Sequence, residues 1–372
     1  MQGKRPLKYQ AAAQELLTRI ETMSPGTRLP NRNVLAGEMK IARSTLEHAI
    51  AELIAQGYLI AQDGSGTYVA GAHFRRNDVQ TADRWLALRE DPPVLNKDTW
   101  AILISSILYD VYPNILRSVQ DVARNHDVNL IVCNTDNDIQ TQEDYLYKLA
   151  KGGVSGLVIV PAICGSANPW VFPTLQACGI RFVSCFRPIQ GFFIPGAYGN
   201  SFQAGYIGTR QLMRRGCRRV AFFSSPIYQG SYERYQGYLA ALSEEGGSPP
   251  LVSFEKNYQY ETEGIPRAEE LLRRHPEIDG IFAFNDRVAR CAYDALRARG
   301  REPGVDVMVL GCDNTSICDE LNPRLTSIAF PLYEIGRAAS EMLWSLSQEQ
   351  MPERTLQVFG CSLIERESTL GK

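Results

Sequence analysis

The chain has 372 residues, of which 44% are hydrophobic and 22% charged, so its composition is that of an ordinary globular protein and excludes a disordered or fibrous one. This length exceeds that of a usual single domain and predicts two folded units. The first ten residues carry no apolar export signal, and no stretch has the length of a membrane span. The sequence therefore predicts a cytoplasmic protein with no membrane partner.

Charge is unevenly distributed along the chain. Residues 1–76 hold ten Lys or Arg and six Asp or Glu, whereas the whole chain has a net charge of -2. A basic N-terminal part favours a polyanionic partner at that end. The nine cysteines all lie at or after Cys133 and form no Cys-x-x-Cys pair, so we expect buried thiols, with no metal site, disulfide framework or cofactor.

Three helices and a hairpin are predicted in the first 71 residues. Asn31 can cap the second helix, and a Gly-rich tip at residues 63–66 separates the two strands. Hydrophobic spacing and turn residues predict helices from Leu7 to Ile20, from Arg32 to Met39 and from Ala42 or Arg43 to Gly57, and strands at 58–61 and 67–70. This order predicts an N-terminal winged helix-turn-helix domain over residues 1–71.

Four motifs in this segment keep a fixed order and spacing. They are Pro25-Gly26-Thr27-Arg28-Leu29-Pro30-Asn31-Arg32, Ile41-Ala42-Arg43-Ser44-Thr45-Leu46, Gly57-Tyr58-Leu59 and Gly64-Ser65-Gly66-Thr67. Together they resemble the DNA-binding domain of the GntR family over roughly residues 6–71. The resemblance implies double-stranded DNA as a partner.

The start of the third helix is the expected recognition element. An arginine there can reach a guanine edge, while hydroxyls and free helix N–H groups can meet phosphate. The predicted DNA contacts are Arg32, Arg43, Ser44 and Thr45, with Gly64, Ser65 and Gly66 at the wing tip. Solvated surface arginines and a helix-capping serine are the alternative interpretation. Glu47 follows Arg43 by one turn, where many relatives carry a basic or neutral residue.

Residues 72–98 are polar and contain Asp91-Pro92-Pro93, which predicts a linker in which residues 84–89 can form a helical turn. From residue 99 to 372, short apolar strands alternate with amphipathic helices. The strands are expected at 100–105, 128–133, 156–160, 181–185, 219–223, 280–284 and 305–310, and the helices at 114–125, 141–151, 201–215, 232–244, 266–274 and 286–299. This α/β alternation predicts two lobes of doubly wound parallel sheet with a cleft between them.

Short motifs in the C-terminal part also follow a specific order. They are Phe186-Arg187, Tyr198-Gly199-Asn200, Arg234-x-x-Gly237-Tyr238, Phe284-Asn285-Asp286, Gly311-Cys312-Asp313-Asn314 and Leu325-Thr326-Ser327-Ile328. They resemble the LacI/GalR sensor domain and the related periplasmic sugar-binding proteins, a type I periplasmic-binding-protein-like fold. Joined to a GntR-type head, this sensor resembles the arabinose repressors of Gram-positive bacteria.

The resemblance and the predicted strand ends give one set of ligand-binding candidates. Polar groups at the carboxyl ends of parallel strands face the crevice where ligands bind in such sheets, and aromatic rings can stack on a sugar. The candidates are Tyr109, Tyr112, Phe186, Arg187, Arg234, Asn285, Asp313 and Phe330. A structural ion pair or a helix cap is the alternative for Arg234, Asn285 and Asp313. Phe186 and Phe330 stand where sugar binders often carry aspartate and glutamine.

The resemblance implies a ligand-responsive transcriptional regulator, acting as a repressor that binds a palindromic operator as a homodimer and releases it when a sugar closes the cleft. A deoxy sugar, a methylated or aromatic glycoside, a non-sugar ligand and a corepressor-type switch remain open. So does a degraded head kept only for dimerisation. An enzyme is disfavoured because the sequence contains no Gly-x-Ser-x-Gly elbow, no P-loop and no His-x-Glu zinc motif with its Cys-x-x-Cys pair. A transport protein is disfavoured by the DNA-binding head.

Overall fold

The computed structural model describes residues 8–21, 23, 27–55, 59–62, 66–69, 78–164, 168–189, 192–224, 229–246, 250–253 and 260–371. The chain divides into two units. The first comprises Met1–Pro92 with Asn168–Thr174, and the second comprises Pro93–Ala167 and Leu175–Lys372. Among the described residues, no helix is long and apolar enough to cross a membrane.

The N-terminal unit contains the predicted winged helix-turn-helix. Its elements are α1 (Lys8–Glu21), α2 (Arg32–Glu38), α3 (Arg43–Ala55), β1 (Leu59–Gln62) and β2 (Gly66–Val69). The two strands pair antiparallel. The preceding loop runs beside β2, because the Leu29 N–H donates to the Thr67 carbonyl and the Val69 N–H donates to the Thr27 carbonyl, both at 2.8 Å. The fold expected for this part of the chain is confirmed.

Local sequence explains where these helices begin and how they pack. The Asn31 side chain accepts the Asn33 N–H at 2.9 Å and so caps α2, as predicted. Leu16 and Ile20 of α1, Leu46 and Leu53 of α3, and Leu59 of β1 are buried in one core cluster. At the predicted wing tip, Gly66 begins β2, whereas Gly64 and Ser65 lie outside the described residues.

A helix, α4 (Asp78–Glu90), occupies much of the segment expected to form the linker. The single helical turn anticipated at 84–89 is the second half of this 13-residue helix. Among residues 84–90, whose side chains the structure describes, the buried apolar ones are Trp85 and Leu88. Few apolar residues mark its helical period, which explains why the sequence indicated only a turn. The helix ends just before the predicted break at Asp91-Pro92-Pro93.

The first lobe of the second unit is built on six parallel strands, β3 (Asn96–Ile104), β4 (Asn129–Asn134), β5 (Val154–Ile159), β6 (Arg181–Phe186), β7 (Gly196–Gly199) and β13 (Leu356–Phe359). Their order is β13-β7-β6-β5-β3-β4. The accompanying helices are α5 (Val111–Asn125), α6 (Ile139–Lys151) and α13 (Leu332–Ser347). A further helix, α7 (Val171–Ala177), begins in residues assigned to the first unit and ends in the second. Every residue of β5 is buried, as expected for a strand with both faces covered.

The second lobe has the strands β8 (Val220–Phe223), β9 (Leu251–Ser253), β10 (Gly280–Ala283), β11 (Met308–Cys312), β12 (Thr326–Ala329) and β14 (Ser362–Ile364). They are ordered β14-β12-β11-β10-β8-β9, and β14 alone pairs antiparallel. The helices are α8 (Ser201–Arg214), α9 (Gln229–Glu244), α10 (Tyr260–Arg274), α11 (Asp286–Ala298) and α12 (Ile317–Glu320), and a short 3-10 turn spans Glu367–Thr369.

The chain passes between the two lobes three times: from β7 to α8, from β12 to α13, and from β13 to β14. Two of these passages are joined to each other by hydrogen bonds. The Asn200 N–H donates to the Phe359 carbonyl at 2.8 Å, and the Cys361 N–H donates to Gln203 Oε1 at 2.9 Å. The two doubly wound lobes predicted from the sequence are confirmed. Of the expected strands, the one at 305–310 is displaced and begins at Met308.

Candidate functional site

The predicted recognition helix exposes polar side chains at its N-terminus. Arg43 is the first residue of α3 and its side chain is 60% exposed, while Ser44 is exposed and Thr45 is partly exposed. The first N–H groups of a helix have no partner within the helix and attract anions. This end of α3 is therefore chemically suited to a phosphate backbone.

Glu47 brings the two candidate arginines together. Its Oε1 accepts Arg43 Nε at 3.0 Å and lies 3.7 Å from Arg32 Nη1. Arg43 Nη1 also donates to Asn33 Oδ1 at 3.2 Å. All of these side chains are substantially exposed, so the ion pairs are weak and easily exchanged for phosphate. Both candidate arginines are thus paired with Glu47.

The cleft candidates come from both lobes of the sensor. Tyr109 and Tyr112 follow β3, and Phe186 and Arg187 lie at the end of β6, all in the first lobe. Asn285 and Asp313 follow β10 and β11 in the second lobe. Arg234 lies in α9, which begins at Gln229 and not at the expected residue 232. Phe330 lies at the passage between β12 and α13.

Arg187, directly after β6, is held by three polar side chains of the first lobe. Its Nη2 donates to Ser105 Oγ in a short hydrogen bond, and lies 3.4 Å from the Tyr112 hydroxyl and 3.3 Å from Asn137 Oδ1. Ser105 and Tyr112 are buried. Sequence reasoning missed Ser105 and Asn137, although both lie just beyond the ends of neighbouring strands, β3 and β4.

Asp313, in the second lobe, contacts two of the other candidate residues. Its Oδ2 accepts the Tyr109 hydroxyl at 2.5 Å, and its Oδ1 lies 3.6 Å from Arg234 Nη2. Both Asp313 and Arg234 are buried. Burial, followed by the charge of Asp313, raises the pKa of Tyr109 well above its usual value, so this hydroxyl stays protonated as a donor. The ion-pair alternative for these two residues therefore has a geometric basis, since both are partnered within the protein.

Aromatic rings line the rest of the cleft. Phe186 packs edge-on against Tyr112 and Phe330, with ring centroids 6.4 and 6.3 Å apart. The Arg234 guanidinium lies 4.4 Å from the centre of the Phe284 ring and 5.4 Å from that of Phe330, and donates a short hydrogen bond to the Phe284 carbonyl. Stacking on rings and bonding to a carbonyl hold the guanidinium in one orientation. The site combines fixed polar groups with apolar walls.

Three consecutive residues of the first lobe, Leu108, Tyr109 and Asp110, contact the second lobe directly. The Leu108 carbonyl accepts Arg287 Nη2 at 3.0 Å, and Arg287 also lies 4.6 Å from the centre of the Tyr109 ring. Asp110 Oδ2 accepts the Ser316 N–H at 3.0 Å and the Ser316 hydroxyl at 2.5 Å. We call residues 108–110 the interlobe strap. None of its side-chain contacts to the second lobe was predicted from the sequence.

Between the lobes lies a cavity of about 20 Å³, bounded by residues from both of them. Its lining residues are Phe186, Arg187, Gly199, Ser201, Gly230, Arg234 and Phe330. Ligand pockets for small molecules usually measure about 300–1,000 Å³. This cavity is therefore far smaller than the pockets that usually hold small molecules.

The side chains of Asn285 and Asp286 both accept hydrogen bonds from other residues of the protein. The Asn285 side chain accepts the Val288 N–H at 2.9 Å and caps α11, which is the alternative that the sequence left open. Asp286 is fully buried and accepts three hydrogen bonds from Thr315 and Ser327. Burial and the charge of Asp313 raise the pKa of Asp286 to about 7. The described residues contain no cluster of three or more His, Cys, Asp or Glu side chains placed to hold a metal.

Comparison with known proteins gives matches to both parts of the chain. Residues 8–69 match the bacterial regulatory proteins of the gntR family, and residues 209–369 match the periplasmic binding protein-like domain. An arabinose metabolism transcriptional repressor from Geobacillus stearothermophilus is 26% identical over 382 aligned residues, which cover 99% of each chain. A ribose operon repressor from Halalkalibacterium halodurans is 26% identical over 73% of this chain and 79% of its own length.

The transcription regulator CcpA of Lactococcus lactis has a similar structure, with a TM-score of 0.65 and 27% identity. The similarity covers 73% of this chain and 99% of that one. A helix-turn-helix head and a two-lobed cleft on one chain define a transcriptional regulator with its own ligand-sensing domain. In this chain a segment that matches the gntR-family regulatory proteins precedes one that matches the periplasmic binding protein-like domain.

Proposed function

We propose that the protein is a cytoplasmic repressor that binds a palindromic operator as a homodimer and releases it when a sugar binds between the sensor lobes. The arrangement of Asp313, Arg234 and Arg187 in an aromatic-walled cleft is the observation that carries the sugar assignment. A carboxylate and two guanidiniums match the acceptors and donors of vicinal hydroxyls, and the rings match the apolar face of a sugar. The arabinose and ribose repressors among the relatives support the same ligand class.

The coupling between the two sites is thermodynamic linkage. An effector that binds more tightly to one arrangement of the lobes shifts the protein toward that arrangement, and operator affinity changes by the same coupling free energy. The interlobe strap is the contact between lobes that such a ligand would replace, since its Tyr109 hydroxyl already occupies an oxygen of Asp313. No catalytic step is part of this proposal.

A thermal-shift screen of monosaccharides, glycosides and sugar phosphates tests the ligand class. A ligand that binds only the folded protein stabilises it and so raises its unfolding temperature. At a ligand concentration one hundred times the Kd, the stabilisation is about 2.7 kcal/mol. Because Phe186 and Phe330 make the cleft apolar, deoxy sugars and methylated or aromatic glycosides belong in the panel. A screen in which only non-sugar metabolites stabilise the protein would refute the sugar assignment.

The DNA-binding role has a separate test in Arg43→Ala. An arginine that reads a base edge carries about 1–3 kcal/mol of discrimination, so the variant should bind the operator correspondingly more weakly, with unchanged effector affinity. Gel shifts with DNA from the protein's own promoter measure the change, with effector omitted and then added. Binding that strengthens on adding effector would replace release with a corepressor mechanism. Wild-type affinity in the variant would refute the role of Arg43.

A further inference from the structure

The loop that carries Asp313 has an unusual backbone. Asp313 and Asn314 both adopt positive φ angles, of 99° and 50°. Residues other than glycine rarely occupy this region, and they stay there only where the surroundings impose the conformation. Some other part of the structure must therefore fix this loop.

Three successive amides of the loop are each bonded to a different partner. The Asp313 N–H donates to the Ile328 carbonyl at 2.7 Å, which continues the pairing of β11 with β12. The Asn314 N–H donates to Ser327 Oγ at 3.1 Å. The Thr315 N–H donates to Asp286 Oδ2 at 2.7 Å. Beyond the first amide, the loop is therefore held by side chains and not by the sheet.

Both of these side-chain bonds lead to one carboxylate. Asp286 Oδ2 also accepts the Thr315 hydroxyl at 2.9 Å, and its Oδ1 accepts the Ser327 hydroxyl at 2.6 Å. Gly311 leaves the room for this carboxylate, since a Cβ at that position would lie 2.4 Å from Asp286 Oδ1. Asp286 thus holds Thr315 directly and Asn314 through Ser327.

We infer that Asp286 is a positioning residue of the sensor: it holds residues 313–315 in the conformation that presents the Asp313 carboxylate to the cleft. The inference rests on the proposed sensor site, because Asp313 is an effector contact there. A second buried carboxylate beside Asp313 is costly, as the raised pKa of Asp286 reflects. Its three donors are what offset that cost. Asp286 need not touch the effector to control its binding.

The position of the loop can be read without any effector. Because Tyr109 donates to Asp313, a 3-fluorotyrosine incorporated at position 109 reports that contact by 19F NMR, with Asp313→Ala as the reference for its loss. Amide hydrogen exchange at residues 313–315 reports how often the hydrogen bonds made by these backbone amides open. In Asp286→Ala we expect the resonance to move toward the reference. We also expect exchange at Asn314 and Thr315 to rise about tenfold or more, as loss of a bond to a charged group implies.

The conservative variant separates positioning from simple space filling. In Asp286→Asn the amide oxygen can still accept from Thr315, and the amide nitrogen can donate to Ser327 Oγ, whose proton can turn to the Ile328 carbonyl 3.5 Å away. In this variant we expect the 19F resonance at position 109, and the exchange rates at Asn314 and Thr315, to be close to those of the wild type. Asp294→Ala removes an exposed carboxylate from the same helix and should leave them unchanged.

Wild-type resonance and exchange in Asp286→Ala would overturn the inference. If that variant does not fold, Ser327→Ala decides the matter, because it removes only the hydroxyl that links Asp286 to Asn314. Faster exchange at Asn314 with Thr315 unchanged is expected there, and no change at Asn314 would refute the assignment. A failure of the proposed function would appear in the ligand screen and would leave these measurements unaffected.

Discussion

The crossing of α8 and α9 fixes the position of Arg234, and we expect Gly205→Ala to disturb it. A Cβ on Gly205 would lie 1.9 Å from the carbonyl oxygen of Arg234, and a Cβ on Gly237 would lie 2.0 Å from that of Phe202. The two helices therefore meet backbone to backbone at a reciprocal pair of glycines. Backbone cannot rotate away as a flexible side chain can, so an added methyl group must push the helices apart.

The expected magnitude follows from two opposing effects. Alanine is favoured over glycine in a helix by about 1 kcal/mol. Overpacking costs about 1–3 kcal/mol, and a clash against backbone belongs at the upper end of that range. A net loss of ~2 kcal/mol lowers the unfolding temperature by about 4–8 °C for a domain of this size. The shift of α9 also displaces the guanidinium from Asp313, so effector affinity should fall together with stability.

Differential scanning calorimetry measures the change, with Gly37→Ala as the matched control. Gly37 lies inside α2 with no atom within 4 Å of an added Cβ, so its replacement should be neutral or slightly stabilising. An unfolding temperature for Gly205→Ala equal to that of the wild type would show that the helices separate at little cost, and would refute the reasoning.

Three further predictions concern the two binding sites and assembly. Glu47→Gln frees Arg43 and Arg32 and removes one negative charge, so fluorescence anisotropy across a salt series should show tighter DNA binding; unchanged affinity would mean that Glu47 does not compete with DNA. Asp313→Ala or Arg234→Ala should weaken effector binding by about 2–5 kcal/mol in calorimetry, because each removes one buried charged group that would hydrogen-bond the effector; unchanged affinity in either would make that side chain structural. Light scattering should show a dimer at micromolar concentration, as a palindrome requires two-fold symmetry, and a monomer both free and on DNA would exclude it.

Local patterns were sufficient to predict most of the sensor's architecture. The apolar run Leu157-Val158-Ile159 in β5 and the amphipathic spacing of α11 identify their elements without knowledge of the rest of the chain. Short strands such as β9 and β14, at three residues each, carry too little periodic signal to be predicted. Helix α4 was predicted only as a turn because its sequence also carries a weak periodic signal.

The candidate site was predictable in its residues but not in its contacts. Strand ends and motif order placed Arg187, Arg234 and Asp313 near one crevice, but no sequence pattern pairs Tyr109 with a carboxylate 204 positions away. The bond between Arg43 and Glu47 is different, since a spacing of four residues on a helix already implies it. The role of Asp286 emerges only when the backbone of the neighbouring loop is known.

The three passages of the chain between the lobes also constrain how the sensor can form during synthesis. β13 completes the sheet of the first lobe and β14 that of the second, yet both follow β12 in the chain. A ribosome that has made all of β3 to β12 has therefore finished neither sheet, and each sheet lacks one edge strand until residues 356–364 have been made. The two lobes should thus mature together, once this segment has left the ribosome.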